Sequence, residues 1–353
     1  MAVGLITAGS EFVMAISEES TFGTAITATT SDLWKLLHLT EHAEWDLSGL
    51  TRDSTMRLQG SRVPLNTDNF VTRAGGEVVI PFTAIATKAT LDFLLYGVLQ
   101  SVIEAETPLF LKTFTWGDST TQPLFTDNTG NFYTIVLNGG ITSEDMIATT
   151  CIIRDLTLSS DQGTNGGRLT VSGNFISGFT SATKFFESGS QGFGTATQPG
   201  VDYFNHCNLT TKTLGGTDMI VESYSITFNN KALRKGCDGS GDAQTYALGV
   251  AGYELTGAIR VLYDDNTKGL LTNSLTSAFD TQLVLAYGSG NDPADTAGDF
   301  LQKYNIALQA APARDFAGEA GTMLDLTFTG ARDSSLAMVD IDYVNSTDRS
   351  WPA

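Results

Sequence analysis

Two stretches of the chain repeat one pattern of hydrophobic and polar positions. The first, GGEVVIPFTAIATKATLDFLLYGVLQSV, begins near Gly75, and the second, AGYELTGAIRVLYDDNTKGLLTNSLTSAF, begins near Ala251. Each predicts an alternating strand, a polar turn and a short amphipathic helix that ends near Val102 or Phe279. The two stretches lie about 177 residues apart, close to half of the chain, and this spacing indicates an internal duplication.

The rest of the pattern is that of short strands and turns. In RLTVSGNF, Leu169 and Val171 alternate with polar residues, which buries one face of a strand and leaves the other in solvent. Pro81 places its strand at an edge or a bulge, because proline has no N–H to donate. Helices are predicted over 91–99 and 268–279, where leucines recur at helical spacing. Further strands are predicted over 77–86, 109–116, 132–137, 221–230, 282–287 and 303–310.

These elements predict a mainly β fold with short helices, a β-sandwich or barrel with a helix beside it. A length of 353 residues is about what two such domains require. Residues 181–218 are rich in Gly, Ser and Thr and are interpreted as a linker. The first domain is then 1–180, with an N-terminal arm and a projecting loop at 44–69. The second domain is 219–353 and ends in a C-terminal tail.

The charge of the chain excludes free binding to nucleic acid. There are 20 basic and 39 acidic residues, a net charge of −19, whereas such binding depends on Lys and Arg that neutralise phosphates. Within this acidic chain, the loop 44–69 carries Arg52, Arg57 and Arg62. These arginines either dock on an acidic patch of a neighbouring subunit or are scattered charges of a solvated loop.

No motif in the sequence predicts an enzyme, a metal site or a cofactor. His38 and His42 have the spacing of a zinc-protease pair, but Leu39 stands where that pattern needs Glu. His206 is the only further histidine, and the three cysteines contain no CxxC pair. The N-terminus predicts no secretory signal, and no apolar run reaches the ~18 residues of a membrane helix.

Three segments of the chain resemble the major tail tube proteins of long-tailed, siphovirus-type bacteriophages. They are ESTFGTA at 19–25, SITFNNKA through YELTGAIRVLYDD at 225–265, and RDLTLSSDQGTNGGRLTVSGNF at 154–175. The resemblance covers most of the chain as a pattern, in a duplicated-domain form. It implies a β-sandwich or barrel domain flanked by a helix, a unit that forms hexameric rings in related tubes. For two fused domains it implies a trimeric ring with pseudo-sixfold symmetry, with a hexameric ring as the alternative.

The resemblance also implies a function. The chain would be a structural virion protein, assembled in the host cytoplasm, whose rings stack into the tail tube through which the genome is ejected. Its partners would be further copies of itself, a tape-measure protein, and tail terminator and baseplate proteins. DNA would pass through the lumen without specific binding, and no membrane would be involved.

An acidic lumen would let DNA slide, because like charges repel. Screening limits this repulsion to about 8 Å at physiological salt, so the acidic residues must lie on the wall itself. The candidates for the lumen wall are Glu77, Glu254, Asp264 and Asp325, and the candidates for contacts between rings or subunits are Arg52, Arg57 and Arg62.

Three other interpretations fit the same sequence. The chain could be the tube protein of a contractile tail or of a secretion system, which share the fold. It could be a non-tubular structural protein, such as a capsid decoration or a surface-layer subunit. It could be an enzyme on a β-sandwich, which would need two carboxylates that face each other across a cleft.

Overall fold

In the residues that it describes, the computed structural model shows a protein built mainly of antiparallel strands, with one α-helix and short single turns. This architecture confirms the predicted mainly β fold with short helices. The structure describes residues 13–19, 26, 34–41, 78–100, 102–105, 110–116, 131–138, 145–177, 186–187, 202–235, 247–270, 280–290, 292, 294, 296–308, 313–315, 322–331 and 337–345.

The strands and α1 follow one another along both halves of the chain. The first half contains β1 (Val13–Glu19), β2 (Lys35–Leu39), β3 (Val78–Ile85), α1 (Leu91–Leu99), β4 (Ile103–Ala105), β5 (Phe110–Trp116), β6 (Phe132–Asn138), β7 (Asp145–Asp161), β8 (Thr170–Ser177) and β9 (Phe186–Glu187). The second half contains β10 (Leu209–Leu214), β11 (Thr217–Asp218), β12 (Val221–Asn229), β13 (Leu233–Lys235), β14 (Ala247–Gly249), β15 (Glu254–Leu262), β16 (Asp280–Tyr287), β17 (Phe300–Leu308), β18 (Ala313–Asp315), β19 (Met323–Gly330) and β20 (Val339–Asn345).

Six strands of the first half form a closed circuit. β1 pairs with β2 and β6, β3 pairs with β2 and β8, and β7 pairs with β6 and β8, always antiparallel. Each strand of the circuit therefore has hydrogen-bonded neighbours on both sides over part of its length, which limits open edges. Buried side chains from these strands fill the core, among them Met14, Ile80, Tyr133, Ile153 and Phe175.

A second sheet is built mostly from the second half. Its order is β4–β5–β20–β17–β16–β10–β11, so β4 and β5 from the first half extend it at one edge. β17 lies at its centre and pairs along its length with β16. Trp116 at the end of β5 is buried and its ring meets Phe228 of β12, which ties this sheet to the other strands of the core.

The long strand β7 joins the two halves into one sheet. Its first part pairs with β6, and its last part, Asp155 to Asp161, pairs with β12 from Asn229 to Ser223. β12 pairs in turn with β15, and β15 with β19. The result is a continuous antiparallel sheet in the order β3–β8–β7–β12–β15–β19, and one hydrophobic core runs beneath it through both halves.

The two halves share the same order of strand pairings. β3 pairs with β8 through Ile85 and Thr170, and β15 pairs with β19 through Leu262 and Met323. Leu262 follows Ile85 by about 177 positions, the spacing of the two repeated sequence stretches. The next strand in each half corresponds as well. In the first half β7 pairs with β8, and in the second half the same side of β19 pairs with the end of β17 and then with β18.

Most predicted elements are present at the predicted positions, including β3, α1, β5, β6, β12, β16 and β17. β10 and β11 lie inside the segment 181–218 that was interpreted as a linker, and they pair within the second sheet. Only residues 268–270 of the second predicted helix are described. The loop 44–69 lies outside the described residues, as does most of the N-terminal arm.

Helix α1 is held against both sheets by close contacts. Its residue Gly97 lies so near β6 and β7 that an added Cβ would be 2.6 Å from Ile153 Cδ1 and 2.6 Å from the Tyr133 hydroxyl oxygen. That hydroxyl donates a hydrogen bond of 3.0 Å to the Phe93 carbonyl. At the start of α1, the buried Asp92 pairs with the buried Lys112 of β5 at 3.4 Å. The helix therefore links the six-strand circuit of the first half to the second sheet.

A buried glutamate on β1 stabilises an irregular point in β7. The register between β6 and β7 shifts near Thr150, which has φ 54, a conformation that β-branched residues rarely adopt. The Glu19 carboxylate accepts hydrogen bonds from the Thr150 N–H at 2.7 Å and from the Thr134 hydroxyl at 2.7 Å. Burial raises the pKa of Glu19 to about 7, although these hydrogen bonds oppose the rise.

Replacing Gly97 by Ala is expected to lower the free energy of unfolding by about 1–3 kcal/mol, because the new methyl group overpacks the contact with β6 and β7. Gly269→Ala is the control, since an added Cβ there meets nothing within 4 Å. That control should leave stability unchanged or raise it by up to about 1 kcal/mol. Denaturant unfolding of both variants measures the difference, and equal stabilities would contradict the close helix contact.

The raised pKa of Glu19 predicts a stability that depends on pH. Because the folded pKa of about 7 exceeds the ordinary value of 4.5, the folded state holds the proton more tightly, and stability should fall as pH rises between these values. In Glu19→Gln this fall should be smaller by on the order of 2 kcal/mol. Unfolding curves from pH 4 to 8 measure it, and identical slopes in the two proteins would refute the assignment.

Candidate functional site

The sheet β3–β8–β7–β12–β15–β19 has one face in the core and one polar face. On β12, Tyr224, Ile226 and Phe228 are buried, whereas the residues between them are partly exposed. The neighbouring strands alternate in the same way. Since the cross-strand registers are aligned, the residues of the polar face fall into rows that run across the sheet.

The central row contains only hydroxyl side chains. Each strand of the sheet contributes one residue to it, and each of these residues is the direct partner of the next across the strands. In order across the sheet the row is Thr83, Ser172, Thr157, Thr227, Thr256 and Thr329. At the junction of the two halves, Thr157 Oγ1 and Thr227 Oγ1 are 2.8 Å apart and share a hydrogen bond.

The adjacent row is also small and uncharged. It begins beside Ile85, which closes the row at its β3 end. From there the row continues through Thr170, Ser159, Ser225, Ala258 and Thr327. Ala258 and Thr327 are exposed, as is expected for a face that meets solvent. The two rows together give the sheet a neutral, short-chained surface that spans both halves of the chain.

Charged residues of this face lie at its margins and have partners. At one margin, Asp155 lies 3.4 Å from Arg154 and accepts a hydrogen bond of 2.8 Å from Asn174, and Glu254 lies 3.3 Å from Lys231. Because most of these partners are half-exposed, each pair contributes little stability, about 0–1 kcal/mol. Their effect is to cancel charge locally, so this margin is nearly neutral.

At the other margin Arg260 occupies the centre of a small cluster. Its guanidinium lies 2.6 Å from Glu222 and 3.6 Å from Asp325. A groove of about 420 Å³ opens beside it, lined by the adjacent row, including Ser159 and Ser225, and by Arg168. The groove holds arginine and aspartate together with serine and threonine, so it carries no strong charge of either sign.

Two of the predicted acidic candidates lie on the polar face. Glu254 stands at one margin and Asp325 at the other, each in an ion pair. Asp264 lies in the turn after β15, where its carboxylate accepts the N–H groups of Asn266 at 3.0 Å and Thr267 at 2.9 Å. Glu77, Arg52, Arg57 and Arg62 lie outside the described residues.

The hydroxyl rows were not predicted from the sequence. The signal was present, because the strand segments RLTVSGN, VESYSITF and MLDLTFTG place Ser or Thr at alternate positions. Each segment alone predicts only a solvated strand face. The rows follow from the registers between strands, and those registers join residues as distant as Thr83 and Thr329.

The histidines and cysteines do not converge on a site in the described part of the chain. The His38 Nδ1 atom lies 3.2 Å from the Tyr203 hydroxyl, while the buried His206 contacts the Ser160 hydroxyl at 3.0 Å. Cys151 is buried, which raises the pKa of its thiol, and Cys207 is exposed. Among the described residues no three His, Cys, Asp or Glu side chains are placed to hold a metal ion.

Within the described ranges, the helices are too short or too polar to span a lipid bilayer.

Comparison with models of protein families identifies the family of the chain. The family model described as phage tail tube protein matches residues 9–330, which is nearly the whole chain. No curated protein sequence matches the chain. The matched range includes every strand of the sheet that carries the polar face.

The central hydroxyl row is expected to contribute little to stability. In a Thr157→Val, Thr227→Val double variant both partners of the hydrogen bond disappear together, so the free energy of unfolding should change by less than about 1 kcal/mol. Leu158→Ala is the matched control on the same strand, because this side chain is buried in the core and its loss should cost about 2–5 kcal/mol. Denaturant unfolding separates the two outcomes, and a large loss in the double variant would assign the row a structural role.

Proposed function

The chain belongs to the phage tail tube protein family, and we propose that it builds the tube of a siphovirus-type tail by assembling into stacked rings around a channel for genome ejection. Membership of the family makes it a structural component of the virion tail. The ring, the stack and the channel are the finer part of the proposal. The observation that supports them is the polar face, which both halves of the chain build together.

Each half supplies four strands in the same order. The first half gives β2, β3, β8 and β7, and the second gives β12, β15, β19 and β18. The halves meet where the last strand of one unit, β7, pairs with the first strand of the next, β12. We attribute this match to duplication of one ancestral unit.

The same kind of junction would join one chain to the next. In the described part of the chain, β18 pairs with β19 alone. The edge of β18 that corresponds to the β12-binding edge of β7 therefore has no described strand paired to it. An open edge of this kind favours the addition of a strand from another copy. Three chains would close a ring of about twenty-four strands, wide enough to leave an aqueous channel.

The polar face would then line that channel. DNA carries one negative charge per ~1.7 Å of its axis, and a wall rich in Lys and Arg would hold it by many contacts. The hydroxyl rows offer short neutral side chains, while Glu254 and Asp325 place acidic groups at the margins. Such a wall lets DNA pass without a specific contact.

The proposal includes partners and a place of assembly. Rings would form in the host cytoplasm, and a tape-measure protein would set their number. Tail terminator and baseplate proteins would occupy the two ends of the stack. The arginines Arg52, Arg57 and Arg62 of the loop 44–69 remain candidates for contacts between rings.

Cysteine labelling of assembled filaments tests the position of the polar face. The background carries Cys207→Ser and Cys237→Ser, and the probe is Ala258→Cys, an exposed position in a hydroxyl row. Unassembled protein should react with a small maleimide and with one on a long polyethylene glycol chain. In filaments the small reagent should still react, whereas the polymer should be excluded from the channel.

Thr210→Cys is the control for that experiment, because Thr210 is exposed on β10 of the second sheet and should stay open to both reagents. Electron microscopy of the same samples should show filaments with a central channel. Absence of filaments would contradict the tube, and full labelling of Ala258→Cys by the polymer in filaments would place the polar face outside the channel.

A further inference from the structure

The hairpin of β13 and β14 carries an exposed stripe of two basic side chains and one apolar side chain. The hairpin connects β12 to β15, and its inner side is fixed in the core by the buried Ala232 and Leu248. The residues on its outer side are Lys231, Leu233 and Lys235, which alternate with less exposed neighbours. Lys231 also lies 3.3 Å from Glu254 of β15, which cancels part of its charge within the chain. We call these three residues the basic stripe. Leu233 leaves 44% of its surface in solvent, which is unusual for a leucine in a strand.

A patch of opposite charge lies at the other end of the same two strands. Asp218, Ile220 and Asp265 are all exposed there, and we call them the acidic rim. The Leu262 N–H donates a 2.9 Å hydrogen bond to the Ile220 carbonyl, which sets the end of β15 beside Ile220. Lys268 is also exposed at this end. With two aspartates against one lysine, the rim remains acidic on balance.

The exposed apolar residues single out these two patches. Among the described residues only three large hydrophobic side chains are strongly exposed, and the basic stripe and the acidic rim hold one each. They are Ile103 at 65%, Ile220 at 58% and Leu233 at 44%. An apolar residue flanked by charges of one sign, facing an apolar residue flanked by charges of the other sign, is the composition of a small complementary interface.

The two patches of one chain cannot reach each other. β12 has 9 residues and runs from the acidic rim to the hairpin, and β15 has 9 residues and returns. At ~3.3 Å per residue this separates the patches by about 27 Å. Each chain therefore presents one patch at each end of the strands that carry the hydroxyl rows.

We propose that the basic stripe of one copy docks on the acidic rim of a second copy, and that this contact joins successive rings along the tube axis. The inference rests on the proposed tube function and names the surfaces that it would use. A contact between two different patches repeats without closing, so it generates an open-ended stack. Opposite charges would fix the polarity of the stack, and Leu233 and Ile220 would supply buried apolar area.

Charge reversal tests the contact in full-length protein. One variant carries Lys231→Glu and Lys235→Glu, and the other carries Asp218→Lys and Asp265→Lys. Each variant alone should form rings but lose filaments in sedimentation and electron microscopy, because both ends of its rings then have the same sign. An equal mixture of the two variants should regain filaments, since oppositely charged ends meet again.

A fourfold variant that combines all these changes is the control, because its net charge equals that of the wild-type protein. This variant should also form filaments. Circular dichroism checks that each variant folds. If wild-type protein stacks and either twofold variant stacks equally well, this contact is refuted while the tube proposal stands. Loss of rings as well as filaments would assign the patches to contacts within a ring and would also refute the stacking contact. Failure of the wild-type protein to form any filament would overturn the tube proposal itself.

Discussion

The antiparallel ladder between β7 and β12 is the interaction on which the rest of the structure depends. It spans Asp155 to Asp161 on one strand and Ser223 to Asn229 on the other, and it joins the two halves within the sheet that carries the hydroxyl rows. Without it the hydroxyl rows would be two short fragments, each with an open edge. With it, the hydrophobic core beneath the sheet is continuous through both halves.

Strand alternation allows this sheet to serve two purposes at once. Leu156 and Leu158 of β7 face the core, where burial supplies most of the stabilisation. The residues between them, Thr157 and Ser159, face outwards, where they bury little apolar surface. The composition of the outer face is therefore free to follow function. A surface of short hydroxyls is one that a highly charged polymer can pass without being held.

The sequence predicted the local elements well and the surface poorly. The leucine spacing of α1 and the alternation of β3 and β12 are local signals, and each was found at its predicted position. The closure of six strands into a circuit and the partner change along β7 depend on pairings between distant residues, which no local pattern encodes. The hydrogen bonds of Asp264 in its turn could not be predicted for a related reason, since an aspartate that caps a turn has the same local sequence as a solvated one.

The partner change along β7 has a consequence for the growing chain. On the ribosome, Asp161 is made about sixty residues before Ser223, so the outer edge of β7 stands unpaired while the second half is still being translated. Neighbouring nascent chains would present the same bare edge at the same moment, an arrangement that invites wrong pairing. Asp155 and Asp161 frame that edge with like charges, which repel an identical copy. These two aspartates, which lie at the margins of the polar face in the finished protein, would thus also protect it during translation.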